Sequence, residues 1–397
     1  MSKLRKACKN GDYYKVERLL NLNKKNINKE DEHGLTSLHI ACNDKKYDIA
    51  KLLISYGANV DANDNKCVTP LHIVCRDNNY DMAKFLIENG ANVNDTDDDS
   101  NSPLHIACMN NNYDIAKLLL VNGVKKIDRI NHENKNPLDI VCSNNNYDMG
   151  ALLLSHGANV NAHSGFSGST RHYSPFKLLC DNKRFKFAKL LLDNGAIINE
   201  KEVGLNCTHL HKKCLEKNYD AVKFLISHGA SVNEKDCNGE TPLHLVFRVN
   251  IHYNSLICDE TNSNIIKMLL DNGANVNEKN NRGCTPLHIA CFVSGRSVDG
   301  SIKFILDHGA NINEKNNEGY TALHYAYYNY SIHTMALLLS YGANINGKDN
   351  DGYPIMRKIQ YNREYQYISK EMNKRIYILS LIINSDVLKH YIVKKID

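Results

Sequence analysis

In a chain of 397 residues, 49 Lys and Arg stand against 44 Asp and Glu, a formal charge of only +5. The two signs are interspersed, which excludes the clustered basic face of a nucleic-acid binder. The longest apolar run towards the C-terminus, Ile376 to Ile383, is far too short to span a bilayer, and the opening Met1-Ser2-Lys3-Leu4-Arg5-Lys6 leads into no apolar segment of a secretory signal.

Residues 1–30 read as a divergent first unit. Leu4, Ala7 and Cys8 line a short helix, Asn10-Gly11-Asp12 make a turn, and Val16, Leu19 and Leu20 line a second helix. Lys3, Arg5, Lys6 and Lys9 are expected in water, because a terminal unit caps a stacked core with a polar side. From residue 31 to 352 one pattern recurs. It is clearest at Thr69-Pro70-Leu71-His72, followed by Tyr80-Asp81-Met82-Ala83-Lys84-Phe85-Leu86 and closed by Gly90-Ala91-Asn92-Val93-Asn94. Its leucine returns as Leu38, Leu71, Leu104, Leu138, Phe176, Leu210, Leu243, Leu287 and Leu323. Its glycine returns as Gly57, Gly90, Gly123, Gly157, Gly195, Gly229, Gly273, Gly309 and Gly342. Both series step by 33 or 34 residues and share three longer steps of 38, 44 and 36.

Within a unit the residue types assign themselves to local structure. Thr36, Thr69, Thr241, Thr285 and Thr321 stand where an N-cap belongs, with proline next at the first helical position in several copies. A first helix over about Pro70–Asp77 gives way at Asn78-Asn79, since Asn tolerates the left-handed conformation. A second helix over about Asp81–Asn89 carries Met82, Phe85 and Leu86 on one face and ends at Gly90, a C′ residue. The rest, about Asn92 to Asp99, is left for an extended finger. The glycine before the threonine is Gly34, Gly239, Gly283, Gly319 and Gly352 in outer units, but Cys67, Ser100, Asn134, His172 and Asn206 in central ones. Those central fingers are expected to have less regular tips. Insertions lengthen the finger at 162–173 and the inter-helix turns at 248–264 and 293–301.

A period near 33 with a Thr-Pro-Leu-His core resembles the ankyrin-repeat family. The resemblance covers roughly residues 1–360. It implies an all-α fold, an ankyrin-repeat α-solenoid of about ten helix-turn-helix units with hairpin-loop fingers and capping helices. Residues 353–397 then form a degenerate repeat and C-terminal capping helices, with Ile368, Met372, Ile376, Leu379 and Ile383 at helical spacing. The stretches from Glu371 to Tyr377 and from Leu388 to Ile392 resemble the start of the C-terminal region of poxvirus ankyrin proteins. In that family the region ends in an F-box-like segment that recruits a ubiquitin ligase; here no closing Leu-Pro segment precedes Asp397.

The residues that could carry chemistry fall on the repeat. Cys8, Cys42, Cys75, Cys108, Cys142, Cys180, Cys214 and Cys291, eight of thirteen cysteines, lie four residues after a phase leucine, on the same helix face. Helices packed about 8–10 Å apart cannot meet the roughly 7 Å limit of a disulfide, so these are core thiols of a reducing compartment. His39, His72, His105, His211, His244, His288 and His324 recur once per unit without a fixed Ser or Asp partner, and are expected to bond the threonine and the finger backbone. Cys207-Thr208-His209-Leu210-His211-Lys212-Lys213-Cys214 has ligand-like spacing, but His211 and Cys214 hold ordinary repeat positions. Gly165-Phe166-Ser167-Gly168-Ser169 lacks the Gly-Lys-Ser/Thr of a phosphate loop. Asn94, Asn161, Asn233, Asn277, Asn313 and Asn346 are expected to stabilise the start of each finger; the resemblance adds that such asparagines can be hydroxylated. No catalytic residue, metal or cofactor is expected.

These readings point to a non-enzymatic scaffold or decoy that binds another protein on its concave ankyrin surface, of the kind a virus or parasite directs at its host. The alternative is a substrate adaptor for a cullin-type ubiquitin ligase. A monomer is expected in the cytoplasm or another reducing intracellular compartment (a host cell's, if viral), with no nucleic-acid, membrane or small-molecule partner. The partner site is placed on the third to sixth units. It uses Asp97, Asp98 and Asp99 at a finger tip, with Phe166, Arg171, His172 and Tyr173 on the 162–173 arm, since aromatic and Arg side chains are the usual hot spots.

Overall fold

The computed structural model describes residues 2–162, 164–165, 172–248, 259–292, 299–329 and 331–355. The chain divides into two units, Met1–Ile197 and Ile198–Asp397. In the first unit, first helices run over Lys3–Asn10, Ser37–Asn43, Pro70–Arg76, Pro103–Met109, Pro137–Ser143 and Pro175–Asp181. Second helices run over Tyr13–Leu22, Tyr47–Ser55, Tyr80–Glu88, Tyr113–Val121, Tyr147–Ser155 and Phe185–Asp193. In the second unit the first helices are His209–Leu215, Pro242–Val246, Pro286–Phe292 and Ala322–Tyr328. Their partners are Tyr219–Ser227, Asp259–Asp271, Asp299–Asp307 and Ile332–Ser340.

Each first helix starts on the expected hydroxyl or amide cap. Thr69 Oγ1 accepts from the His72 amide while His72 Nδ1 accepts from the Thr69 amide, a reciprocal box that satisfies two orphan donors. Ser102 and Asn136 do the same with His105 and Asp139. The αL turn between helices falls on Asn78, Asn111 and Asn145, and also on Lys45, Lys183 and Lys217. Lys217 is half-buried, with its ammonium on the carbonyls of Leu245 and Val246 where the helix Pro242–Val246 stops two residues short of its siblings. Burial lowers the Lys217 pKa to about 8.

First helices stack on first helices and second on second within each unit. Leu38, Leu71, Leu104 and Leu138 are at most 1% exposed, each contributing roughly 1.5–3 kcal/mol of burial. The cysteine column fills the next turn. All eight thiols are buried and free, and burial pushes Cys42 and Cys214 up to about 12 and Cys8 up to about 11. They therefore stay protonated and pack as small hydrophobes.

Three expectations are corrected. Arg5 does not face water: it is 5% exposed, and its Nη1 donates to the Lys29 carbonyl at 2.7 Å, tying the first unit's helix to its own finger. Four of the five central fingers do not lose their regular tips, because Cys67, Ser100, Asn134 and Asn206 adopt the positive φ of the missing glycines, between 53° and 59°; the fifth has strand pairing at His172 instead. The 162–173 insertion is not an open arm throughout: Ser164 pairs with Tyr173 and Gly165 with His172 in an antiparallel two-residue ladder. Phe166 and Arg171, the bulk of the insertions at 248–264 and 293–301, and nearly all of the 353–397 region lie outside the described residues.

Candidate protein-binding surface: finger row and finger–helix corner

Most of the described fingers are built around one acidic or amide side chain. Asp64 Oδ1 accepts from the amides of Lys66 and Val68 at 2.8 and 2.9 Å. Asn131 receives Glu133 and Lys135 in the same way, and Asp236 receives Asn238 and Glu240. Successive tips are joined by backbone bonds. In the first unit Asn65 N–H donates to His33, Asp98 to Lys66 and His132 to Asp99, at 2.9–3.0 Å. In the second, Cys237 donates to Leu205, Asn281 to Asn238 and Asn317 to Arg282. Within each unit these fingers thus form a hydrogen-bonded row whose outward side chains are free to vary.

The closing asparagines work at longer range than expected. Asn94 Nδ2 donates to the Gly123 carbonyl while its Oδ1 accepts from Lys125 N–H, 3.1 and 2.8 Å. Asn161 holds Gly195 and Ile197, and Asn277 holds Gly309 and Asn311. Each clasps the helix end of the following repeat. The finger's own start is held two residues earlier in the motif, where Asn92 accepts from Asn94 N–H and Asn275 from Asn277 N–H.

The histidine column is structural. His39 Nε2 donates to the Val68 carbonyl at 2.9 Å, His72 to Asn101, His211 to Glu240, His244 to Cys284 and His288 to Tyr320. Each links a first helix to the next repeat's finger. Burial lowers the pKa of all five, and takes His105 to about 4. At Cys207–Cys214 the ligand-like residues go separate ways: His211 into this column, Cys214 into the core, and Cys207 Sγ towards Glu202 at 3.7 Å. Among the described residues no three His, Cys, Asp or Glu side chains converge as a metal site.

Comparison with known proteins fits this architecture. The family model described as ankyrin repeats (3 copies) matches residues 4–97, 94–164, 176–256 and 252–349. The chain belongs to the ankyrin-repeat family. No curated protein matches it. Among solved structures it is similar to the ankyrin repeat domain of Bcl-3, a unique member of the IkappaB protein family. That likeness has 23% identity and a TM-score of 0.43, over 68% of this chain and 98% of that one. Ankyrin repeats bind other proteins, so the exposed side chains of fingers and first helices are the residues of interest.

On the third ankyrin finger the three acidic residues separate. Asp97 is a building residue: its carboxylate accepts from Asn101 N–H at 2.7 Å and from Asn101 Nδ2 at 3.3 Å. Asp98 and Asp99 are exposed, and their backbones join the neighbouring fingers. His172 and Tyr173 contribute backbone to the short ladder on the fifth unit's finger.

The sequence reading missed a second feature. In the second unit the corner between fingers and first helices opens into a cavity of about 390 Å³. Asn280, Arg282 and Cys284 line it from one finger. Arg248, His288, Ile289, Phe292 and Tyr325 line it from the helix side. The available signal was positional: Tyr325 stands where earlier units carry Ile40, Ile73, Ile106 and Ile140, and Phe292 where they carry Asn43, Arg76, Met109 and Ser143.

Proposed function

We propose that this ankyrin protein is a non-enzymatic scaffold or decoy that holds another protein on its fingers and first helices, in a reducing intracellular compartment. The observation that carries this reading is the finger row. Within each unit its backbone is fixed by tip-to-tip hydrogen bonds, while the outward side chains differ, Asp98 and Asp99 in the first unit and Cys237 and Asn238 in the second. A preorganised backbone with variable side chains lowers the ordering cost of an interface. The eight buried free thiols support the reducing compartment. The resemblance of 371–392 to poxvirus ankyrin proteins supports a second reading, a host-directed adaptor that brings its catch to a cullin-type ubiquitin ligase.

Proximity labelling in cells, followed by capture with purified protein, tests both. Asp98→Ser with Asp99→Ser, and separately 163–172 replaced by Gly and Ser, are expected to weaken capture of the labelled partner. Capture equal to the parent by both folded variants removes that part of the surface from the interface. Truncation after residue 352 that loses ligase subunits but keeps the partner supports the adaptor; no ligase subunits with either form rejects it.

A further inference from the structure

We infer that the cavity at the finger–helix corner of the second unit is an anchor pocket for an acidic peptide segment of a partner protein, one that inserts a single aromatic or aliphatic side chain. This rests on the protein-binding reading above and names the chemistry of the partner at one place on that surface.

Three observations carry it. The first is size and wall. A cavity of about 390 Å³ is of ligand-binding size, with room for a large side chain and part of the peptide around it. Its wall is aromatic: Phe292 is 58% exposed, so its ring is open to a partner's side chain. Tyr325 meets both Phe292 and His288 edge to face, with centroids 5.8 Å apart.

The second is that the floor is already satisfied. Asn316 Nδ2 donates to Tyr325 Oη at 3.0 Å, Tyr325 Oη lies 3.6 Å from Cys284 Sγ, and His288 Nε2 donates to the Tyr320 carbonyl. An apolar group entering here strands no buried donor, and Tyr325 is held in place before the ligand arrives.

The third is charge at the mouth. Arg248 and Arg282 line the cavity. Arg248 is spoken for: its Nη2 meets Glu240 Oε1 at 2.5 Å, and Asn280 Nδ2 donates to the same oxygen. Glu240 is 1% exposed, so it orients Arg248 without presenting a negative charge outside. Arg282 is exposed and has no ion-pair partner among the described residues. The nearby finger carboxylates are neutralised in turn, Glu278 by Lys235 and Glu314 by Lys279, both at 2.6 Å. Arg282 is therefore the exposed, unpaired charge that lines the cavity, while the exposed Glu318 on the next finger lies near Tyr325 without lining it. A guanidinium receives carboxylates bidentately, so acidic residues flanking the anchor complete the match and basic ones are repelled.

The test uses full-length protein and fluorescein-labelled synthetic nonapeptides carrying one central Phe or Leu between Asp residues. Three controls share the length: Phe replaced by Ser, Asp replaced by Lys, and both changes together. Fluorescence anisotropy is expected to show saturable binding for the Asp/Phe or Asp/Leu peptide alone. Arg282→Glu and Phe292→Ser should each weaken it by about tenfold or more, as for hot-spot residues, while Lys223→Ser, at an exposed position of the helix Tyr219–Ser227 that does not line the cavity, leaves it unchanged. Circular dichroism checks that each variant is folded, and the milder Arg282→Gln should fall between parent and Arg282→Glu. Equal binding of the Asp/Ser peptide would reduce the site to non-specific charge attraction and overturn the pocket. Binding unaffected by Arg282→Glu and Phe292→Ser would place the peptide elsewhere. No binding by any acidic peptide, with capture of a cellular partner intact, rejects the pocket and leaves the scaffold; loss of all capture by the parent protein rejects the scaffold itself.

Discussion

At residue 150 the second helix carries Gly where its siblings carry Ala50, Ala83, Ala116 and Ala188. The reason is across the stack: a Cβ at Gly150 would lie 2.2 Å from Phe187 Cζ. Phe187 is 2% exposed and braced edge to face by Tyr147 at 5.8 Å, so the ring has nowhere to go. Helix propensity alone favours Gly150→Ala by about 1 kcal/mol, whereas overpacking a tight core costs about 1–3 kcal/mol. Gly150→Ala is thus expected to lower the melting temperature of the parent and to raise it in a Phe187→Leu background. A rise in the parent would show that the ring is not confined. The acidic finger offers a second contrast. Asp97→Ser should cost about 1 kcal/mol, because it strips the acceptor from a buried turn amide, whereas Asp98→Ser and Asp99→Ser should be close to neutral in denaturant titration. Equal costs at Asp97 and Asp98 would refute the division between a building residue and surface residues. A triple variant would therefore confound folding with binding.

At the scale of elements, helices were more legible than fingers. A cap, a proline at the first position and a C′ glycine each act within one turn, so Thr69, Pro70 and Gly90 announce their roles locally. A finger tip instead depends on its neighbour in the next repeat, about 33 residues away. Gly239 shows the dependence: with φ of 72°, an added Cβ would meet Asn281 N at 2.8 Å and its Oδ1 at 2.4 Å. The same glycine–asparagine pairing occurs at Gly283 with Asn317 and at Gly319 with Asn350. Where the glycine is absent the asparagine is too: Cys67 faces Asp98, and Ser100 is followed one finger on by His132. The tip keeps its shape by exchanging both partners, which reading glycines singly could not reveal. Gly239→Ala is accordingly expected to destabilise by about 1–3 kcal/mol through strain and close approach. Cys67→Gly relieves only the left-handed penalty of a Cβ, about 1–2 kcal/mol, and should raise stability. Chemical denaturation decides both, and a harmless Gly239→Ala would sink the pairing argument.

Over the whole chain the repeat phase was readable from end to end, because one leucine and one glycine recur at fixed intervals. The corner cavity was not, since Arg248, Arg282, Phe292 and Tyr325 come from three successive repeats and are brought together only by stacking. The same stacking distributes one titratable device along the chain. His39, His72, His105, His211, His244 and His288 are all held neutral by burial, and each Nδ1 accepts from an N-cap amide, which a protonated ring cannot do. Their folded pKa values lie below the unfolded value of about 6.5. The unfolded chain therefore binds more protons as pH falls below about 6.5, and stability declines with it until the folded values are reached. For His105, lowered to about 4, the loss at pH 5 is about 2 kcal/mol, and the others add in the same direction. Carboxylates held low, such as Glu278 and Glu314 beside Lys235 and Lys279, lose stability in the same sense but only below about pH 4.5, so the interval from 7.5 to 5 isolates the histidines. Asn136 and Asp139 show the cap rebuilt without an imidazole, each side chain accepting from the other's amide at 2.8–2.9 Å. The melting temperature of the parent is expected to fall by several degrees between pH 7.5 and 5, and Ser102→Asn with His105→Asp is expected to flatten that slope. A parent whose melting temperature is level across the interval would show that the column is not buried and neutral, and the reading of these histidines as structural links would fall with it.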